Sequence, residues 1–180
     1  REKSIDDISL NLKLIDNTIK VAGVVGGNLD AAYDLGTRNF FAKLHLDNLQ
    51  LEPYLALSGQ DLEGAITASL QVEGNTDSLQ RISGELDLSS LVLHYKEFNV
   101  LETYDLSARF QNNRYVVPDF GMKLAEIGQI NGRASGFVDG AHDVVVNGII
   151  PLDILRQLSS DLSDVEGRVL IDVVFRGKPE

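Results

Sequence analysis

The sequence predicts an all-β, mainly antiparallel protein: one long twisted sheet folded lengthwise into an apolar trough, with two short helical segments. Three observations carry this. Apolar residues recur at every second position along most of the chain, tight-turn dipeptides separate consecutive runs, and one block of sequence occurs twice.

The alternation begins with Ile8, Leu10, Leu12 and Leu14 and ends at the turn Asp16-Asn17. Phe40, Ala42, Leu44 and Leu46 form a second set, and Ile66, Ala68, Leu70 and Val72 a third. Ile82, Gly84, Leu86 and Leu88 follow, then Leu91, Leu93 and Tyr95, then Tyr104, Leu106, Ala108 and Phe110. Ile130, Gly132, Ala134, Gly136 and Val138 lead to Val144, Val146, Gly148 and Ile150, and finally to Val169, Ile171, Val173 and Phe175. Period two puts these side chains on one face of each strand, while Asn11, Lys13, Lys43, His45, Glu85, Asp87, Arg109 and Arg133 occupy the other. The turns Asp16-Asn17, Gly26-Gly27, Asn112-Asn113 and Asp139-Gly140 hold residue types that accept positive φ, which predicts hairpins and a meander. Strand-interior glycines in phase with the apolar set, such as Gly84, Gly132, Gly136 and Gly148, predict a sheet that bends.

Helix is predicted only at residues 51–57, where Leu51, Tyr54, Leu55 and Leu57 make a short apolar stripe and Pro53 can sit in the first turn, and at residues 152–158. Either segment could plug an end or edge of the sheet.

The repeat is clearest where Asp61-Leu62-Glu63-Gly64, an alternating run and Gly74 recur as Asp164-Val165-Glu166-Gly167, a second run and Gly177. Weaker matches extend it. Residues 7–12 resemble 105–110, residues 27–34 resemble 132–139, and residues 40–46 resemble 144–150. Residues 1–180 therefore read as a single repeat-built β domain with units of roughly 1–80 and 81–180, a piece of a longer chain. Period two alone is compatible with a closed barrel, a sandwich or a folded trough. The repeat favours the trough, which can be prolonged unit by unit whereas a barrel closes and stops.

A chain of this length buries enough surface to fold without a staple, and it has no cysteine. No apolar run reaches the ~20 residues of a membrane span, and no signal peptide is apparent. The net charge of −11 at pH 7 argues against nucleic acid and anionic lipid headgroups as docking surfaces.

Candidate catalytic residues are few. His45 and His94 fall on the polar face, His142 lies in the turn after Asp139-Gly140, and no pair of histidines has metal-ligand spacing. Asp61, Glu63, Asp164 and Glu166 mark a turn before a strand in both copies. Gly23-Val24-Val25-Gly26-Gly27 lacks the Lys-Ser/Thr of a phosphate-binding loop. No enzyme activity, metal or cofactor is expected. The expected functional surface is an apolar groove lined by Leu10, Leu12, Leu14, Leu44, Leu46, Ile66, Leu70, Val72, Leu86, Leu88, Leu106, Phe110, Val144, Val146, Val169, Ile171, Val173 and Phe175.

The elements Leu51-Glu52-Pro53-Tyr54-Leu55, Leu62-Glu63-Gly64-Ala65-Ile66-Thr67 and Val72-Glu73-Gly74, with their second copies at Pro151-Leu152-Asp153-Ile154-Leu155, Val165-Glu166-Gly167-Arg168-Val169 and Phe175-Arg176-Gly177-Lys178-Pro179, resemble the AsmA-like superfamily. So do Ile82-Ser83-Gly84-Glu85-Leu86-Asp87-Leu88 and residues 128–136. Within the superfamily the likeness is to the C-terminal region of its TamB (translocation and assembly module) branch, and it covers nearly the whole chain. The resemblance implies a taco-like β-trough in the periplasm of diderm bacteria. Its parent would be anchored in the inner membrane and reach toward the outer one, carrying phospholipid acyl chains and supporting outer-membrane assembly with a TamA-like barrel partner. Two other readings stay open: a module whose sheet edge or groove pairs with nascent strands of outer-membrane barrels, and a closed barrel for a small ligand.

Overall fold

A computed structural model describes residues 9–56, 62–153 and 165–178 of the chain. Its strands are β1 (Ser9–Ile15), β2 (Thr18–Val24), β3 (Asn28–Asp34), β4 (Asn39–Gln50), β5 (Leu62–Asn75), β6 (Ser78–Tyr95), β7 (Phe98–Gln111), β8 (Arg114–Leu124), β9 (Gly128–Phe137), β10 (His142–Pro151) and β11 (Arg168–Gly177). One helix, α1 (Glu52–Ala56), lies between β4 and β5. The helical segment expected at 152–158 lies outside the described residues from Ile154 onward.

The eleven strands form a single sheet in sequence order, antiparallel throughout. Among the described residues β1 pairs only with β2 and β11 only with β10, so the sheet is not closed into a barrel. The predicted hairpin chemistry is in place at two of the four turns: Asp16 and Asn17 have φ of 46° and 65°, and Asn112 and Asn113 have 52° and 61°; in the β2–β3 turn only Gly26 is left-handed, at 65°, and Asp139-Gly140 turns without positive φ. Both central residues left-handed is the turn whose twist matches that of the flanking strands.

Directly paired residues share a face. Following the pairings across the sheet, Leu12 stands opposite Val21, Val21 opposite Ala31, Ala31 opposite Ala42 and Ala42 opposite Val72. The row continues through Gly84 to Phe110, Tyr115, Gly136, His142 and Gly177. A single face therefore runs unbroken from the first strand to the last.

That face is not packed away. Among the described residues Ala68, 8% exposed, and Pro151, at the end of β10, are the buried apolar side chains. The chain exposes 12082 Å², against about 8,600 Å² for a compact monomer of its 19.7 kDa mass. A filled sandwich would bury its inner faces; this sheet is a trough.

A line of bulges marks where the long strands bend. The pairing of β4 with β5 slips between Leu46 and Leu49, where Asn48 has φ 49° and donates its N–H to the Thr67 hydroxyl at 3.1 Å. Thr67 pairs with Ser90, and the next slip on β6 makes Ser89 an extra residue. Opposite it on β7 stands Asp105, with φ 55°, where the alternation breaks in the same way, Leu106 facing the lining and Tyr104 the outer side. Strand β8 carries another between Val117 and Phe120, at Pro118-Asp119. Bulges bend a strand and raise its twist, and these three, with the phase break at Asp105, form a crease across β4 to β8. The β7–β8 pairing opens beside it between Thr103 and Arg109, and the Thr103 hydroxyl, donating to the Gly121 carbonyl at 2.9 Å, ties the two strands at one end of the gap. The switch of apolar phase from Leu88 to Leu91 was the sequence signature of this crease.

Strands β1 to β3 stop on one side of the crease. Helix α1 sits at their end: a Cβ at Gly26, in the β2–β3 turn, would stand 2.7 Å from the Tyr54 hydroxyl. The position agrees with a plug at the sheet's end.

The register also aligns the two copies. Strand β4 pairs with β5 as β10 pairs with β11: Phe40 opposite Gly74 corresponds to His142 opposite Gly177, and Leu44 opposite Leu70 to Val146 opposite Val173. On this alignment Phe40 matches His142 and not Val144, so the sequence match of 40–46 with 144–150 was two residues out. The match of 27–34 with 132–139 was out by the same amount, since Tyr33 corresponds to Gly136. A shift of two leaves every side chain on its own face, which is why periodicity did not reveal it. Strand β6, between the matched groups β1–β5 and β7–β11, crosses the expected division at residues 80 and 81.

Candidate functional site: an open apolar trough

All eighteen residues expected to line the groove fall on the common face by strand register. Structure adds neighbours that the alternation had not singled out: Ile19 and Val21 on β2, Leu29 and Tyr33 on β3, and Tyr115, Val117, Phe120, Met122 and Leu124 on β8. Their signal was present but split, because β8 changes phase at Pro118-Asp119 and β2 and β3 are short.

Exposure varies along the lining. Leu12 of the first strand is 70% exposed, Phe175 of the last 40%, and most residues between are half-buried. Glycines in the lining mark close approaches. A Cβ at Gly132 would lie 2.7 Å from the Phe120 ring, and one at Gly64 would lie 2.1 Å from the Val92 carbonyl oxygen. No Asp, Glu, Lys or Arg among the paired residues faces the trough.

The charges are on the outer face. Glu85 and Arg109 pair across β6 and β7 at 2.7 Å, and Asp143 and Arg176 across β10 and β11 at 3.3 Å. All four side chains are solvent-exposed and such pairs contribute little; their role here is to mark which face meets water. His45, opposite Asn28 and Ser69, and His94, opposite Glu63, lie on this side as expected.

Two residues are corrected. Tyr104, grouped by alternation with Leu106, faces outward, because the alternation breaks at Asp105; it pairs with Ser90 and donates its hydroxyl proton to Glu102. That bond holds the Glu102 carboxyl below its ordinary range and the Tyr104 phenol above its own. His142 is not a solvated turn residue. It opens β10, half-buried on the lining face, hydrogen-bonded through Nδ1 to the Tyr115 hydroxyl at 2.7 Å.

Among the described residues neither sheet edge has a further strand beside it, and both carry apolar residues: Leu10, Leu12 and Leu14 on β1, and Val169, Leu170, Val173 and Val174 on β11, are all exposed. Among the described residues no cluster of His, Asp or Glu could hold a metal ion, and no helix is long and apolar enough to cross a membrane. No family of proteins, curated protein or solved structure matches the chain.

Proposed function

We propose that this chain is a segment of a periplasm-spanning, lipid-conducting β-trough that supports phospholipid transport to the outer membrane and outer-membrane assembly, of the kind the AsmA-like resemblance implies. The observation that carries the reading is the unbroken apolar face that no element of the described chain covers. Acyl chains are its natural complement. A chain leaving a bilayer gives up roughly 0.8 kcal/mol for each CH₂ it exposes and regains a similar amount on an aliphatic lining, so movement along the trough needs no tight site. The acidic outer face stays in water and leaves the lining free of charge.

The test replaces lining residues by acid and compares them with outer-face controls. Leu70→Asp and Val146→Asp should abolish recovery of co-purifying phospholipid by mass spectrometry, because an unpaired carboxylate in an apolar lining is costly and repels the lipid phosphate. Lys13→Asp and Lys43→Asp should retain it. Equal lipid content in all four folded variants would sink the proposal.

These apolar edges favour a second reading, in which β11 or β1 accepts a nascent barrel strand by main-chain hydrogen bonding. Photocrosslinkers on β11 that capture outer-membrane barrel precursors, from a preparation devoid of lipid, would decide for it.

A further inference from the structure

We propose that His142 and Tyr115 form a polar notch at the rim of the trough that takes the phosphodiester of a phospholipid whose acyl chains lie on the lining; the inference rests on the lipid-trough reading. The internal repeat supplies the contrast. At equivalent places along the rim the first copy carries Ile19, Tyr33, Phe40 and Gly74 in successive pairings, and the second carries Tyr115, Gly136, His142 and Gly177. An apolar Phe40 has become an imidazole, Tyr33 has become a glycine, and a hydroxyl has appeared on the strand beyond.

The geometry uses these changes together. Gly136 makes room for the ring, since a Cβ there would lie 2.9 Å from His142 Nδ1. The Tyr115 hydroxyl reaches across the glycine to Nδ1 at 2.7 Å, and the imidazole stands 6.3 Å from the Phe175 ring on its other flank. Gly177, opposite His142, has φ +139° and nothing within 4 Å of where its Cβ would be, so that side of the notch is open. In the tautomer in which the hydroxyl donates to Nδ1, the ring proton is on Nε2 and can be donated to an anionic oxygen. Asp143 and Arg176, the nearest charged pair in sequence, bond to each other on the outer face. No Asp or Glu among the paired residues shares the lining face with His142, so the net charge of −11 is carried by the outer face and the turns, where Asp139 stands 3.5 Å from Asn113 Nδ2.

The experiment measures binding of a fluorescent phosphatidylglycerol, of a diacylglycerol with the same chains and label, and of free glycerophosphate to the wild-type chain and to His142→Phe and Tyr115→Phe. Phe occupies the equivalent place in the first copy, so His142→Phe should fold, as circular dichroism checks. The expected result is a loss of about five- to tenfold in phosphatidylglycerol affinity for His142→Phe, a smaller loss for Tyr115→Phe, and unchanged diacylglycerol binding. Equal losses on both lipids, or none on the phospholipid, would overturn the notch while leaving the trough reading intact. Wild-type binding of neither lipid would overturn both. Glycerophosphate bound as tightly as the phospholipid would replace the lipid headgroup by a free phosphate ester as the ligand.

Discussion

The main-chain N–H of Leu51 donates to the carbonyl of Gly64 at 2.8 Å, and the same bond recurs in the second copy from Leu152 to Gly167 at 2.9 Å. Each bond closes the long connection between two paired strands at the point where the second strand begins. The offsets around it explain how the copies diverged. Residue 46 corresponds to 148, an offset of 102, but 51 corresponds to 152, an offset of 101, because β10 lacks the one-residue bulge that β4 carries near Asn48. From 64 to 167 the offset is 103, since the connection itself gained two residues. Strand and loop have changed independently about a fixed hydrogen bond.

The glycines of the lining should differ sharply in their tolerance of a methyl group. Gly64→Ala puts its Cβ 2.1 Å from the Val92 carbonyl oxygen, whereas Gly84→Ala meets nothing nearer than 3.5 Å. In urea unfolding, Gly64→Ala should lose more than about 2 kcal/mol and Gly84→Ala should stay within about 0.5 kcal/mol of wild type. Similar midpoints for the two would show that the approach at Gly64 relaxes freely.

Face assignment can be read by fluorescence, because the chain has no tryptophan. Leu86 faces the trough beside Leu70 and Ala108, and its neighbour Glu85 faces outward beside Arg109. If lipid occupies the trough, Leu86→Trp should be quenched by phospholipid brominated on its acyl chains and Glu85→Trp should not. Equal quenching at both positions would place the lipid elsewhere.

The crease should depend on left-handed backbone at Asp105, whose φ is 55°. Asp tolerates that region moderately, Gly freely and a β-branched residue poorly. Asp105→Gly should leave stability within about 0.5 kcal/mol, and Asp105→Ile should lower it by about 1–2 kcal/mol, with the difference seen in thermal unfolding. If Asp105→Ile unfolds with the wild type, the strained residue is not what fixes the bend.

Asp34 ends β3 and accepts the N–H groups of Gly36 and Thr37, each at 2.8 Å. The bond from Thr37 and then that from Gly36 hold its carboxyl below the ordinary value. A lowered folded pKa means the unfolded chain binds the proton more readily, so the stabilisation is complete above the unfolded value of about 3.9 and fades as pH falls through the folded one. The stability difference between wild type and Asp34→Ala should therefore be constant near neutrality and shrink below about pH 4. A gap that persists unchanged at pH 2 would assign the effect to turn geometry and not to charge.

The sequence by itself determined the strand class, the polarity of each face and the places of four turns, two of them with both central residues left-handed, because period two and turn-forming residue types are local properties. Phase breaks such as Leu88 to Leu91 were legible as well, although their meaning was not. What only the tertiary structure decided was register. Alternation is unchanged by a slip of two residues, so the sequence paired Phe40 with Val144 where the ladder equates it with His142, and His142 consequently read as a solvated turn residue. Tyr104 was misplaced for the complementary reason, since the phase break at Asp105 inverts the face and leaves no mark on composition. Whether the apolar faces close on one another was equally beyond a local pattern: the same alternation fills a sandwich or lines an open trough. The choice lies in how bulges on neighbouring strands fall into line, and that alignment exists only once the hydrogen bonds of the whole sheet have fixed which residue stands beside which.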